Sequence, residues 1–556
     1  MTECLQTKKS NCKNCYKCIR HCPVKSLKFT DGQAHIVRDE CVLCGECYVV
    51  CPQNAKQIRS DVEKAKQLVL KYDVYASIAP SFVAWFHNKS IHDMEQALIK
   101  LGFKGADETA KGAYIVKKQY EKMIEEKKSK IIISSCCHTV NTLIQRHYTG
   151  AIQYLADVVS PMLAHAQMLK KEHKGAKVVF IGPCISKKDE AEKYKGYVEL
   201  VLTFDELDEW LKSENITIES NRGSSKEGRT RSFPVSGGII SSMDKDLGYH
   251  YMVVDGMENC INALENIERG EIDNCFIEMS ACRGSCINGP PARRKSNNIV
   301  GAILAVNKNT GAKDFSVPMP EPEKLKKEFR FEGVHKIMPG GTAIEEILKK
   351  MGKTSIEHEL NCGSCGYDTC RDKAVAVLNG KADLTMCLPY LKEKAESFSD
   401  AIIKNTPNGV IVLNEDLEIQ QINNSAKRIL NLSPSTDLLG SPVSRILDPI
   451  DYILALREGK NCYYKRKYFA EYKKYVDETI IYDKEYHVII IIMRDVTEEE
   501  KIKALKNKQS EAAIEIADKV VEKQMRVVQE IALLLGETAA ETKIALTKLK
   551  ETMEDE

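Results

Sequence analysis

The stretch Glu278-Met-Ser-Ala-Cys-Arg-Gly-Ser-Cys-Ile-Asn-Gly-Pro290 carries two thiols four residues apart, Cys282 and Cys286. Gly284 and Gly289 let the backbone pass close to whatever these thiols hold. Two further cysteine sites lie upstream: Ser134-Ser-Cys-Cys137 after Ile131-Ile-Ile133, and Gly182-Pro-Cys-Ile-Ser-Lys187 after Val178-Val-Phe-Ile181. Each follows a short β-like apolar run, so each is expected on a strand-end loop, where functional sites are built. Four soft ligands gathered from three loops suit an iron–sulfur cube; the plainer alternative is scattered buried cysteines.

Other cysteines repeat a metal-ligand pattern. Residues 12–23 read Cys-x2-Cys-x2-Cys-x3-Cys-Pro, and residues 41–52 repeat it. In this two-cluster ferredoxin spacing each fourth cysteine serves the other cluster. One cube would take Cys12, Cys15, Cys18 and Cys51, the other Cys41, Cys44, Cys47 and Cys22. Cys362, Cys365, Cys370 and Cys387 form Cys-x2-Cys-x4-Cys-x16-Cys, which resembles a small module that binds one [4Fe-4S] cluster. Zinc is the alternative for both patterns, since four thiolates also suit it. Cys260 and Cys275 fit no motif and read as buried thiols.

The three loops first described resemble the signature motifs of the [FeFe]-hydrogenase catalytic domain, over roughly residues 70–345. The resemblance implies an H-cluster: a [4Fe-4S] cube joined to a two-iron subcluster with CO, cyanide and a bridging dithiolate. Its cube ligands would be Cys137, Cys184, Cys282 and Cys286, the last bridging to the two irons. Lys187 would hydrogen-bond one cyanide, Pro80 and Ser81 would contact the other, and Cys136 would pass protons to the cluster. The chain also departs from the family pattern. Gly182 and Ser280 replace methionines, His138 replaces a proline, and Pro290-Pro-Ala-Arg293 replaces a glycine-rich run. Two proton-relaying glutamates should fall near Gly112 and Ile115, neither of which titrates. Such neighbours tune a metal site, so hydrogen chemistry at modest rate or altered potential is expected.

These sites must be positioned by several domains. A chain of 556 residues has room for several cores. Its 81 basic and 79 acidic side chains give no reason to expect nucleic acid or an anionic membrane. No apolar run reaches the roughly 18 residues of a membrane span, and the start does not read as a signal peptide. Twenty-one cysteines, mostly at metal-ligand spacings, point to a reducing, oxygen-poor cytoplasm. The expected architecture is multidomain α+β and α/β. Its parts are a two-cluster ferredoxin-like domain (1–60), a two-lobed catalytic domain (70–345) and a four-cysteine cluster module (346–395), followed by a PAS domain (398–497) and a long helix (498–556). Helical spacing over Ile91–Leu101 and Phe204–Lys212, apolar runs at Ile131–Ile133 and Val198–Thr203, and a polar surface loop at Ser220–Ser232 fit the α/β part.

The PAS resemblance rests on Gly409-Val-Ile-Val-Leu413 and Leu417–Asn423 as a hairpin, a helix at Asn424–Leu430, and His487–Met493 followed by Arg-Asp-Val-Thr497. His487 reads as an ordinary strand histidine. The tail places Val521, Met525, Val528, Ala532, Leu535, Ala539, Thr542, Leu546, Leu549 and Met553 in alternating steps of four and three, a coiled-coil or bundle seam. It contains no histidine to phosphorylate. The whole resembles an [FeFe]-hydrogenase of the PAS-bearing, sensory kind, with three accessory [4Fe-4S] clusters and H2 and protons as substrates. Pairing through PAS domain and tail and a separate kinase or phosphatase as effector would follow. The alternatives are a metabolic hydrogenase exchanging electrons with ferredoxin, and a non-enzymatic iron–sulfur assembly factor that keeps the fold.

Overall fold

The computed structural model describes residues 4–8, 11–30, 32–87, 89–127, 129–219, 227–244, 248–295, 298–333 and 338–554. The chain forms two compact units, 1–391 and 392–556. In the first, two antiparallel strand pairs accompany the N-terminal cysteines: Leu5–Thr7 with Lys56–Ile58, and Leu27–Thr30 with Gln33–Ile36. Short helices Lys17–Arg20 and Glu46–Val49 carry Cys18 and Cys47, the third cysteine of each set.

Strands and helices then alternate and build two parallel sheets. One has the order Gly105–Glu108, Val74–Ile78, Lys177–Gly182, Leu200–Thr203; the other has His250–Asp255, Cys275–Ser280, Ile131–Ile133. Central strands such as Val178–Ile181 are apolar throughout and buried, as parallel strands covered on both faces must be. The helices expected from periodicity form at Ile91–Lys100 and Phe204–Ser213, each opened by a capping box. The loop expected at 220–232 turns out differently. Residues 220–226 lie outside the described residues, but the end of the stretch is buried. Thr230 Oγ1 donates to the Ala110 carbonyl at 2.7 Å, and Arg231 meets Glu108 through two nitrogens at 2.6 and 2.7 Å. Composition marked these residues as solvated; a paired, bidentate charge is what lets them go inside.

The four-cysteine module packs helix Gly341–Lys350 on helix Cys370–Leu378 over Ile347, Leu348, Met351 and Ala374. Its other face joins the ferredoxin-like residues in one apolar cluster: Leu5, Ile19 and Leu27 with Tyr367, Ala376, Ala382 and Met386.

In the second unit five antiparallel strands run in the order Ile419–Ile422, Gly409–Asn414, Val488–Asp495, Lys474–Asp483, Cys462–Phe469. Helices Asn424–Ile429 and Ile450–Glu458 add Ala426, Ile429, Tyr452 and Ala455 to the core of this sheet. His487 is a turn residue, with φ 55° and its ring 2.9 Å from Glu415, and not a strand histidine. Helix Thr497–Glu554 leaves the last strand directly. Asp495 accepts from the Thr497 backbone at 3.0 Å, and Arg466 ties Asp477 to Glu500 at 2.7 and 2.5 Å. Along this helix the seam residues Val521, Met525, Val528, Leu535, Leu546 and Leu549 are all exposed.

Candidate functional site

Four strands, two from each parallel sheet, point their carboxyl ends at one apolar cavity, the position where α/β sheets hold ligands. The cavity, about 830 Å³ with its mouth, is lined by Pro80 and Ser81 after Val74–Ile78, and by Cys136 and Cys137 after Ile131–Ile133. Cys184 and Lys187 come from the loop after Lys177–Gly182, and Cys286 from the loop after Cys275–Ser280. Cys282 is not part of this wall. It neighbours Cys184, Cys137 and Cys286, each of which would push its thiol further up after burial has done so. Thiolates that act on one another in this way repel, so holding all four ionised requires positive charge among them.

The wall has unmet hydrogen-bonding capacity. Ser81 Oγ is buried without a hydrogen-bond partner, a state that costs about 1–3 kcal/mol unless a bound group supplies one. Lys187 spends two of its three donors, on Glu190 at 2.5 Å and on the Cys136 carbonyl at 3.1 Å. The third remains for the cavity. Burial alone would lower the Lys187 ammonium, but Glu190 outweighs it and keeps the group charged. Glu190 is itself buried, held by Lys187, by Lys327 at 2.8 Å and by Ser160 at 3.0 Å. This donor set suits a group that is larger than one ion and bears acceptors. Among the described residues no three His, Cys, Asp or Glu side chains converge as a single metal ion requires; the thiols ring cavities instead.

Cys136 has two neighbours that the sequence reading missed. The Tyr120 hydroxyl lies 3.2 Å from its sulfur, oriented by accepting the Ser135 N–H at 2.9 Å. Glu278 lines the same cavity, and its carboxylate accepts the N–H groups of Gly237 and Ile240 at 2.9 and 3.0 Å. Burial lifts Glu278 to about 7 against the pull of those N–H groups. Burial also pushes the Cys136 thiol up to about 12, with Tyr120 and Lys187 opposing. Glu278 sits four residues before Cys282, inside the motif quoted first, and Glu190 one helical turn after Lys187; both spacings are visible in the sequence. Tyr120 carries no such signal.

The departures have physical counterparts. A Cβ on Gly182 would lie 2.6 Å from the Phe180 ring, and that ring lines the cavity. His138 begins helix His138–His147, its Nε2 2.8 Å from Asp189 and its Nδ1 buried and unpartnered; burial holds it below the ordinary histidine range. Gly112 and Ile115 are inside the helix Thr109–Glu125 packing and offer no titratable group.

Among the other thiols, burial pushes Cys18 and Cys47 up; Cys51, Cys12 and Cys15 add to this at Cys18, and Cys41, Cys44 and Cys22 at Cys47. Cys362, Cys365, Cys370 and Cys387 line one cavity. Cys260 and Cys275 are buried at 0% and 1% exposure.

Residues 72–290 match the family model described as iron only hydrogenase large subunit, C-terminal domain. Residues 4–52 match a 4Fe-4S dicluster domain, 359–389 an Fe-S cluster model, and 397–463 the PAS fold. The molecule is a multidomain iron–sulfur protein. It carries an iron-only hydrogenase large-subunit domain between a dicluster domain and a PAS fold. Over 48 residues it is 38% identical to one component of an ion-translocating oxidoreductase complex from Methanosarcina acetivorans, covering 9% of this chain and 18% of that protein. An [FeFe]-hydrogenase variant from Chlamydomonas reinhardtii aligns at 16% identity with TM-score 0.40, over 50% of this chain and 100% of its own. The PAS domain of nitrogen regulation protein NR(II) from Vibrio parahaemolyticus aligns at 17% identity and TM-score 0.15, over 17% of this chain and 96% of its own. Among the described residues no helix is long and apolar enough to cross a membrane.

Proposed function

We propose that this chain is an [FeFe]-hydrogenase catalysing H2 oxidation and its reverse, and that it reports hydrogen or redox state through its PAS domain and terminal helix. The observation that carries the catalytic reading is the single cavity shared by Cys136, Cys137, Cys184, Cys286, Lys187, Pro80 and Ser81. Cys137, Cys184, Cys282 and Cys286 would hold the H-cluster cube, with Cys286 as the bridge to a two-iron subcluster bearing CO, cyanide and a dithiolate. When bound, that group supplies the splitting and formation of H2. The chain's own residues do the rest. Lys187, clamped by Glu190, offers one N–H to the cavity, and Ser81 offers its unpartnered hydroxyl. Cys136 carries a proton between the bound group and Tyr120 or Glu278, whose pKa near 7 suits both taking and giving it.

Infrared spectroscopy of anaerobically matured protein tests this reading: bands of bound CO and cyanide are expected. Their absence in protein with full iron content would leave the iron–sulfur assembly reading, with a cube and no two-iron unit. The sensory part rests on the PAS fold and on a 58-residue helix whose apolar seam is exposed in a single copy. A second copy of this chain would cover that seam, and a separate kinase or phosphatase would read it. Amide hydrogen exchange of residues 398–554 under H2 and under N2, at matched pH, should differ. Identical protection, with unchanged mass by light scattering, would favour the metabolic hydrogenase served by ferredoxin, to which the dicluster domain also lends itself.

A further inference from the structure

We propose that the four-cysteine module is a second terminal electron site, so that the electron path forks at the Cys22–Cys41–Cys44–Cys47 cube. The inference rests on the hydrogenase reading for its source of electrons. By chain order the module follows the catalytic domain, yet the fold returns it to the ferredoxin-like residues. The Phe29 N–H donates to the Lys381 carbonyl at 2.7 Å, and Arg20 and Lys25 donate to the carbonyls of Ser364 and Gly366, both at 3.0 Å. Lys381 and Glu40 form an ion pair. Gly366, the neighbour of Cys365, has φ +94°, and a Cβ there would stand 2.9 Å from Ile19 and 3.0 Å from the Arg20 nitrogen. The module backbone therefore lies directly on the turn of chain that connects Cys18, of one cube, to Cys22, of the other.

Tyr367 fills the remaining gap. It is buried, lines the module cavity beside Cys365, and its hydroxyl has no hydrogen-bond partner. Tyr367 shares one apolar cluster with Cys22 and Cys18, against which Cys365 also packs, so its ring lies between the two cysteine sets. The Cys22 set also faces the catalytic cube. Cys44 and Cys137 share one apolar cluster, Glu46 pairs with Arg293 at 2.6 Å, and a Cβ on Gly45 would meet Pro290 at 2.5 Å. One cube thus adjoins the catalytic domain, the Cys12–Cys51 cube and the module. The two outer sets each present an exposed thiol, Cys15 and Cys362.

The electron count fits such a fork. Oxidation of one H2 releases two protons and two electrons. Each [4Fe-4S] cube takes one electron in passing from the 2+ to the 1+ state, so two terminal cubes hold the pair without an external acceptor. Electron paramagnetic resonance on the full chain, reduced with dithionite or with H2, tests this. In dithionite-reduced wild type the module spin should be dipolar-coupled to the ferredoxin-type spins. Cys362→Ala should then lose about four irons, lose the module spin and narrow the remaining signals. A module spin without coupling in wild type overturns the fork, and this measurement does not depend on any variant folding. In Cys15→Ala, H2 should still reduce the module to its wild-type extent. A module left oxidised there, while the Cys22 set is reduced, would place it in series behind the other terminal cube and overturn the fork. If H2 reduces no cube in wild type while dithionite produces coupled spins, the hydrogenase reading fails and the shared wiring stands.

Discussion

Around Cys136 the fold gathers three side chains from separate parts of the sequence. Tyr120 touches its sulfur, Lys187 holds its carbonyl, and Glu278 faces it across the cavity. A methyl group cannot carry a proton, so Cys136→Ala should keep the infrared bands of the bound group and lower turnover by about 10²–10⁴-fold. Wild-type turnover in that variant would send the proton elsewhere, with His138 the next residue to change. Glu278 supplies a pH signature. Its folded pKa, about 7, lies above the ordinary 4.5, so between those values the folded state keeps a proton that the unfolded chain has lost. Its stabilisation is complete below pH 4.5 and is lost as pH rises to about 7. The total is about 3 kcal/mol at roughly 1.4 kcal/mol per pKa unit. The thermal transition of the catalytic domain should therefore fall between pH 5 and pH 8 in wild type, and fall less in Glu278→Gln. An equal fall in both would assign the pH dependence to other groups.

Elements bring these residues together through close packing, and glycine marks one of the tight places. Helix Thr109–Glu125 crosses Pro161–Glu172 at Gly112, where a Cβ would press on the Pro161 carbonyl oxygen and stand 2.7 Å from His165 Cβ. Gly112→Ala should destabilise the catalytic domain by about 1–3 kcal/mol through overpacking. Gly536, in the terminal helix, has nothing within 4 Å. Gly536→Ala should raise helix stability by about 0.5–1 kcal/mol, since only backbone entropy changes. Thermal melts followed by circular dichroism would check both signs. Opposite effects of the same substitution would locate one glycine in a packed crossing and the other on an open helix.

For the whole molecule, the cysteine sets form a continuous body within the first unit: catalytic set, two ferredoxin-type sets and module. Sixteen thiols for four cubes predict about sixteen irons per chain after reconstitution without the two-iron precursor, and about eighteen with it. Hydrogen activity should appear only with the precursor. Substantial zinc in the module, or activity at sixteen irons, would contradict the ligand assignment.

The sequence by itself marked the three accessory cysteine sets as candidate ligands, because cluster chemistry demands particular donors at short spacings, and those spacings survive without a fold; the catalytic set, spread from Cys137 to Cys286, was legible only through the family resemblance. It also determined the two kinds of strand and the terminal helix, through local periodicity. The tertiary structure alone decided what long-range packing controls. It set Tyr120 against Cys136, buried Arg231 in a stretch composed like a loop, and let Phe180 occupy the space beside Gly182. It also carried the four-cysteine module back to the N-terminal cysteines, about 340 residues away along the chain, where Arg20 meets Ser364. Such contacts depend on which apolar faces find each other. A reading of neighbours in sequence has no access to that choice.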